Sequence, residues 1–161
     1  MTIIDNAVYV DGVRSAEPQN LEQTFETLNR HGGMAWIGLY RPTEDEMAAV
    51  SAEFGLHRLA VEDAISAHQR PKLERYDDNL FTVLRPARYL DETETVEFGE
   101  LHVFTGKNFV VTVRHAETGG VAQVRRKLER RPDLLCHGPE AVLYALMDQV
   151  VDDYAPVVAG L

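Results

Sequence analysis

The 161-residue chain is 45% hydrophobic and 26% charged, which supplies one packed domain and argues against a disordered or fibrous protein. Twenty-six acidic against sixteen basic residues leave a formal charge of −10, a balance that opposes nucleic acid and anionic lipid as partners and favours cations. Cys136 is the single cysteine, so an internal disulfide and a multi-thiolate metal site are both excluded, and it reads as an inert buried thiol. No apolar run approaches the roughly 18 residues of a membrane span and no basic-then-apolar leader opens the chain, so the fragment as given reads as soluble and unexported.

Residues Ile3 to Val10 predict a first strand, closed by Asp11-Gly12. Asn20 then caps a helix that presents Leu21, Phe25 and Leu28 on one face and stops at Gly32-Gly33. The nearly continuous apolar run Met34 to Tyr40 suits a strand covered on both faces. Thr43 with Glu46 forms a capping box for a helix that Gly55 ends, and a short helix follows over Leu59 to Ser66. Beyond Pro71 and the turn-rich Asp77-Asp78-Asn79, a strand runs from Leu80 to Leu84. Val96 to Phe104 and Phe109 to His115 predict an antiparallel hairpin joined by Thr105-Gly106-Lys107-Asn108. Val121, Val124 and Leu128 mark a further helix, with Arg125-Arg126-Lys127 and Arg130-Arg131 as its solvated basic end. A last helix opens at Pro139 and carries apolar residues through Val157, Val158 and Leu161 without a stop signal, which suggests that the structure continues past the end of the chain. The sum is an α/β fold, a mixed β-sheet sandwiched between helices, in a single domain spanning 1–161.

Motifs for nucleotide or nucleophile chemistry are absent: there is no phosphate-binding glycine loop, no nucleophile elbow, no helical histidine pair for zinc and no EF-hand. The chain therefore does not read as an enzyme. Carboxylates offer the one chemical lead. Glu62 and Asp63 are adjacent in the short helix, and Asp148 lies on the last helix a turn ahead of Asp152 and Asp153. Their hard oxygens suit Mg²⁺ or Ca²⁺, although an acidic pair on a helix is more often a solvated face.

The stretch Leu59-Ala60-Val61-Glu62-Asp63-Ala64-Ile65, continued by His68-Gln69-Arg70-Pro71-Lys72-Leu73-Glu74-Arg75-Tyr76-Asp77-Asp78-Asn79-Leu80-Phe81, resembles the signature region of the CorA family's cytoplasmic domain. The hairpin from Gly99 to Val113 and the helix from Leu143 to Tyr154 resemble that family in the same order. The resemblance implies a cytoplasmic ion-sensing domain of a Mg²⁺/Co²⁺ transporter, truncated before its stalk helix and transmembrane helices. It implies a homopentamer at the cytoplasmic face of the inner membrane, with the membrane reached only through the missing C-terminal part and the isolated fragment monomeric or weakly associated. Regulatory ions, Mg²⁺ with Co²⁺, Ni²⁺ or Zn²⁺ as alternatives, are implied between subunits on Glu62, Asp63 and Asp148. A zinc-transporter domain of the ZntB kind and a free-standing soluble metal-binding or interaction module remain alternatives, since the pore residues that would discriminate them lie outside the chain. Gln69-Arg70-Pro71-Lys72 reads as structural, with Arg70 or Lys72 pairing with nearby acids.

Overall fold

A computed structural model describes residues 3–115 and 120–161. The chain runs β1 (Ile3–Val10), β2 (Val13–Ala16), α1 (Leu21–His31), β3 (Met34–Tyr40), α2 (Glu44–Phe54), α3 (Arg58–Ser66), β4 (Lys72–Tyr76), β5 (Asn79–Leu84), β6 (Ala87–Leu90), β7 (Thr95–Phe98), β8 (Leu101–Thr105), β9 (Phe109–Arg114), α4 (Val121–Glu129), α5 (Pro132–Leu135) and α6 (Pro139–Gly160). Seven strands form one sheet in the order β2-β1-β3-β9-β8-β5-β4. Among the described residues only β3 and β9 pair in parallel; every other neighbouring pair is antiparallel, so the sheet is mixed. Strands β6 and β7 make a separate two-stranded ribbon that α6 covers.

Strand alternation divides the core into two faces. On one side Trp36, Leu101, Val103 and Val110 pack against Val124 and Leu128 of α4, Leu135 of α5 and Val142 and Leu146 of α6. On the other, Ile37, Leu39, Phe81, Phe104 and Val111 pack against Met47 and Val50 of α2 and Ala60 and Ala64 of α3, with Leu28 of α1 in a satellite cluster beside Val8 and Ala35. The result is three layers, as expected for an α/β sandwich. Each fully buried side chain such as Trp36, Phe81 or Leu146 contributes about 2 kcal/mol of transfer free energy.

Local signals account for the helix ends. Asn20 accepts from the Gln23 amide, Thr43 and Glu46 close their capping box, and Gly55 adopts the left-handed conformation that ends α2. Among the described residues, no helix is long and apolar enough to cross a membrane.

Several expectations need correction. The run Val96 to Phe104 is two strands: Val96 belongs to the ribbon, and β8 begins at Leu101 after a break at Gly99-Glu100. The break is held by Arg85, whose Nε donates to the Gly99 carbonyl at 2.8 Å, and by the Gly99 amide donating to Pro86. Arg125 is buried rather than part of a solvated basic end, because its guanidinium reaches Asp5, Tyr9 and Trp36. Cys136 is exposed, not buried, with its thiol donating to the Asp133 carbonyl. The charged strand β4 and the short strands β2 and β6 were not foreseen.

Candidate metal centre

Helix α3 is anchored by two small residues, Ala60 and Ala64, which let it lie close against the Phe81–Phe104 face of the sheet. Its first turn is capped by His57, whose Nδ1 accepts from the Leu59 amide at 3.2 Å. With the alanines turned inward, Glu62 is exposed and Asp63 sits at the edge of the helix, above strand β4.

Residues Lys72, Glu74 and Tyr76 occupy alternate positions of β4, opposite Val83, Phe81 and Asn79 of β5, and so share the face that α3 covers. The side chains form a continuous polar ladder. Lys72 Nζ lies 2.6 Å from Asp63 Oδ2 and 2.7 Å from Glu74 Oε1, the Tyr76 hydroxyl donates to Glu74 Oε2 at 2.9 Å, and the Tyr76 ring stacks on His57 with centroids 4.1 Å apart. Both ends of α3 are thereby tied to one strand. The hydrogen bonds to Asp63 and Glu74 raise the Lys72 pKa, and those from Lys72 and Tyr76 lower that of Glu74. Glu62 lies outside this ladder, with Arg58 at 3.8 Å one turn back along the helix.

Behind the helix exit lies a second polar group. Glu100 and His102 are both buried and pair through Glu100 Oε2 and His102 Nε2, while Glu100 Oε1 accepts from the Gln69 amide at 2.9 Å. A carboxylate acceptor places the imidazole proton on Nε2, leaving Nδ1, which has no hydrogen-bond partner among the described residues, as a bare lone pair. Burial lowers the His102 pKa, and Glu100 only partly opposes that shift. His115 Nε2 reaches the Ala64 carbonyl at 2.5 Å, and Arg85 Nη1 donates to the Gln69 carbonyl at 3.3 Å. These contacts hold the loop after α3 in a conformation in which Ala67 and His68 both have positive φ.

Asp148 is on the other side of the molecule. It is exposed on α6, where it lines a cavity of about 520 Å³ together with Lys127, Gln149 and Asp152. Glu62 and Asp63 are therefore neighbours, but the seven-stranded sheet separates them from Asp148. Among the described residues, no group of three or more histidine, cysteine, aspartate or glutamate side chains could hold a metal within one chain. An ion touching both Asp63 and Asp148 would have to lie between two copies.

A cation fits the Asp63 side of this arrangement. Two carboxylate oxygens already converge on one positive atom, Lys72 Nζ, at 2.6 and 2.7 Å, and hard oxygens are the donors that Mg²⁺ takes. The Lys72 pairing agrees with the structural reading of the Gln69–Lys72 segment. Sequence reasoning missed Glu74, Tyr76, Glu100 and His102. The alternation Lys72, Glu74, Tyr76 was a visible signal for the first two, whereas nothing local marks Glu100 and His102 as buried.

The family model described as CorA-like Mg²⁺ transporter protein matches residues 31–161. The chain belongs to the CorA family. Its similarity to YfjQ of Bacillus subtilis, named for metal ion transport, is 42% identity over 123 residues, covering 76% of this chain and 37% of that protein. The chain thus spans little more than a third of that relative's length. Among solved structures, full-length CmaX superposes with a TM-score of 0.78 at 20% identity over 99% of this chain and 48% of the other. The soluble domain of CorA from Methanocaldococcus jannaschii gives 0.70 at 13% identity, over 99% of this chain and 60% of that one. At such identities these likenesses establish the fold, and they agree with the mixed sheet and two helical layers of this CorA-family chain.

Proposed function

We propose that residues 1–161 form the cytoplasmic regulatory domain of a CorA-type transporter of Mg²⁺ or Co²⁺, whose pore is gated by divalent cations bound between neighbouring copies on Glu62, Asp63 and Asp148. The observation that carries this reading is the placement of Asp63 and Asp148 on opposite faces of the sheet, because a bridging ion must then join two domains. Opposed carboxylates repel by about 4 kcal/mol at 4 Å in an effective dielectric of 20, and an intervening dication reverses the sign. Ion occupancy thereby favours a closed ring, and ion loss lets the domains separate.

Assembly has support on α6. Tyr144, Met147, Val151 and Val158 expose large apolar side chains along one stripe at helical spacing, a surface suited to cover by a neighbouring element. In the proposed whole protein α6 leads toward a stalk and membrane helices, and the domains form a homopentamer on the cytoplasmic side of the membrane.

The test is transport by the full-length protein in liposomes at rising internal Mg²⁺. Asp63→Ala and Asp148→Ala should keep the pore conducting at Mg²⁺ concentrations that shut the wild type. Normal closure by both variants would overturn the assignment of these residues. Repeating the titration with Co²⁺, Ni²⁺ and Zn²⁺ ranks the regulatory ions.

A further inference from the structure

In the chain itself Asp63 is not a vacant carboxylate. Lys72 Nζ holds its Oδ2 at 2.6 Å and Glu74 Oε1 at 2.7 Å, so an ammonium occupies the position from which a cation would neutralise both acids. Lys72 and Asp63 are each about a quarter exposed, and the ammonium also stands 5.8 Å from the centre of the Phe81 ring, so it is held on three sides rather than ranging through solvent. We propose that Lys72 is an internal competitor of the divalent ion at Asp63, a tethered cation that the metal must displace before it can bind. The inference rests on the reading of Asp63 as a regulatory ligand and adds to it a residue that sets the ion threshold.

The physical argument has two parts. A dication beside Asp63 would meet the Lys72 ammonium a few ångströms away, and that repulsion, added to the loss of the existing ion pair, weakens metal binding. Apparent affinity falls by the fraction of time Lys72 vacates the carboxylate. A site for an abundant ion needs such weakening, since a tight site would stay occupied at all times and report nothing.

Displacement also has a structural consequence. Glu74 remains as a second partner, so the freed Lys72 has a place to go on its own strand. Metal binding then removes the contact between α3 and β4 and keeps the one within β4, so half of the ladder that ties the helix to the edge of the sheet is released. The other half, Glu74 to Tyr76 to His57, stays. Ion occupancy is in this way transmitted to β4 and to the segment Gln69-Arg70-Pro71 that joins it to α3.

Titration of the full-length assembled protein, in which neighbouring domains meet, with MgCl₂ by calorimetry, compared across Lys72→Met, Glu74→Gln and Asp63→Asn, tests this. Lys72→Met should bind Mg²⁺ at least about tenfold more tightly than the wild type. Glu74→Gln should bind more weakly, because Lys72 then has only Asp63 to hold. In the wild type, the ¹⁵Nζ resonance of Lys72 should move on Mg²⁺ addition. Equal affinity of wild type and Lys72→Met, with binding lost in Asp63→Asn, overturns the competitor role while leaving Asp63 a ligand. Undiminished binding by Asp63→Asn, or no binding by Lys72→Met, overturns the reading of Asp63 itself and this inference with it.

Discussion

Arg125 lays its guanidinium 4.1 Å above the ring centre of Trp36 and donates from Nη2 to the Trp36 carbonyl at 3.2 Å. The same group donates from Nη1 to the Tyr9 hydroxyl at 3.0 Å and pairs through Nε with Asp5 at 2.9 Å, which pins α4 to the first and third strands. Burial pushes the Tyr9 pKa up to about 12, so the phenol stays protonated and can serve as acceptor to Arg125 and donor to Glu129. Arg125→Leu takes a donor from the Tyr9 hydroxyl and a partner from Asp5 at a buried position and should cost about 3 kcal/mol, read as a lower urea midpoint with unchanged slope. A loss below 1 kcal/mol would mean that the pairing adds nothing over a packed hydrocarbon.

Two glycines with positive φ should respond differently to alanine. At Gly33 (φ 84°) an added Cβ would lie 2.1 Å from the Tyr9 carbonyl oxygen, inside the β1–β3 pairing, so Gly33→Ala should cost at least about 3 kcal/mol. At Gly55 (φ 65°) nothing lies within 4 Å, so Gly55→Ala should cost only the left-handed backbone penalty of about 1 kcal/mol. Thermal unfolding of the two variants side by side separates steric clash from conformational preference.

Ala67 closes α3 at φ 59° and ψ −168°, a region that only glycine occupies readily. Ala67→Gly should relieve that strain and, after glycine's extra chain entropy, raise stability by about 1 kcal/mol in a guanidinium titration. The hydrogen bond that the residue 67 amide donates to the Asp63 carbonyl, at 3.1 Å, does not depend on the side chain. A destabilised Ala67→Gly would show that the loop's ties to Glu100 and Arg85 do not impose the strain.

Burial lowers the His102 pKa below its ordinary value near 6.5. The unfolded imidazole therefore takes up its proton at higher pH than the folded one. Stability from this group is complete above about pH 6.5 and is lost as pH falls from there through the lower folded-state pKa. His102→Gln, whose amide can still donate to Glu100, should flatten this part of the profile of urea midpoint against pH. If the slope just below about pH 6.5 is unchanged in the variant, a different group carries it.

Periodicity and end signals in the sequence determined most elements: the doubly covered strand Met34–Tyr40, the capping box at Thr43 and Glu46, the stop at Gly55 and the hairpin turn at Thr105–Asn108. Such features are local, because a cap or an apolar run needs only neighbours along the chain to take effect. The family resemblance was legible too, since the run from Leu59 to Phe81 keeps its motif contiguous. Strand β4 was missed because its lysine, glutamate and tyrosine have a strand's spacing without a strand's hydrophobicity, and their partners on α3 are brought to them only by folding. Tertiary structure alone buried Arg125, Glu100 and His102: distant residues supply the hydrogen bonds that make desolvation of Arg125 and Glu100 tolerable, and His102 pairs in turn with Glu100. It likewise decided that the sheet stands between Asp63 and Asp148, because the face on which a helix packs depends on the crossing of the whole chain rather than on the helix's own residues.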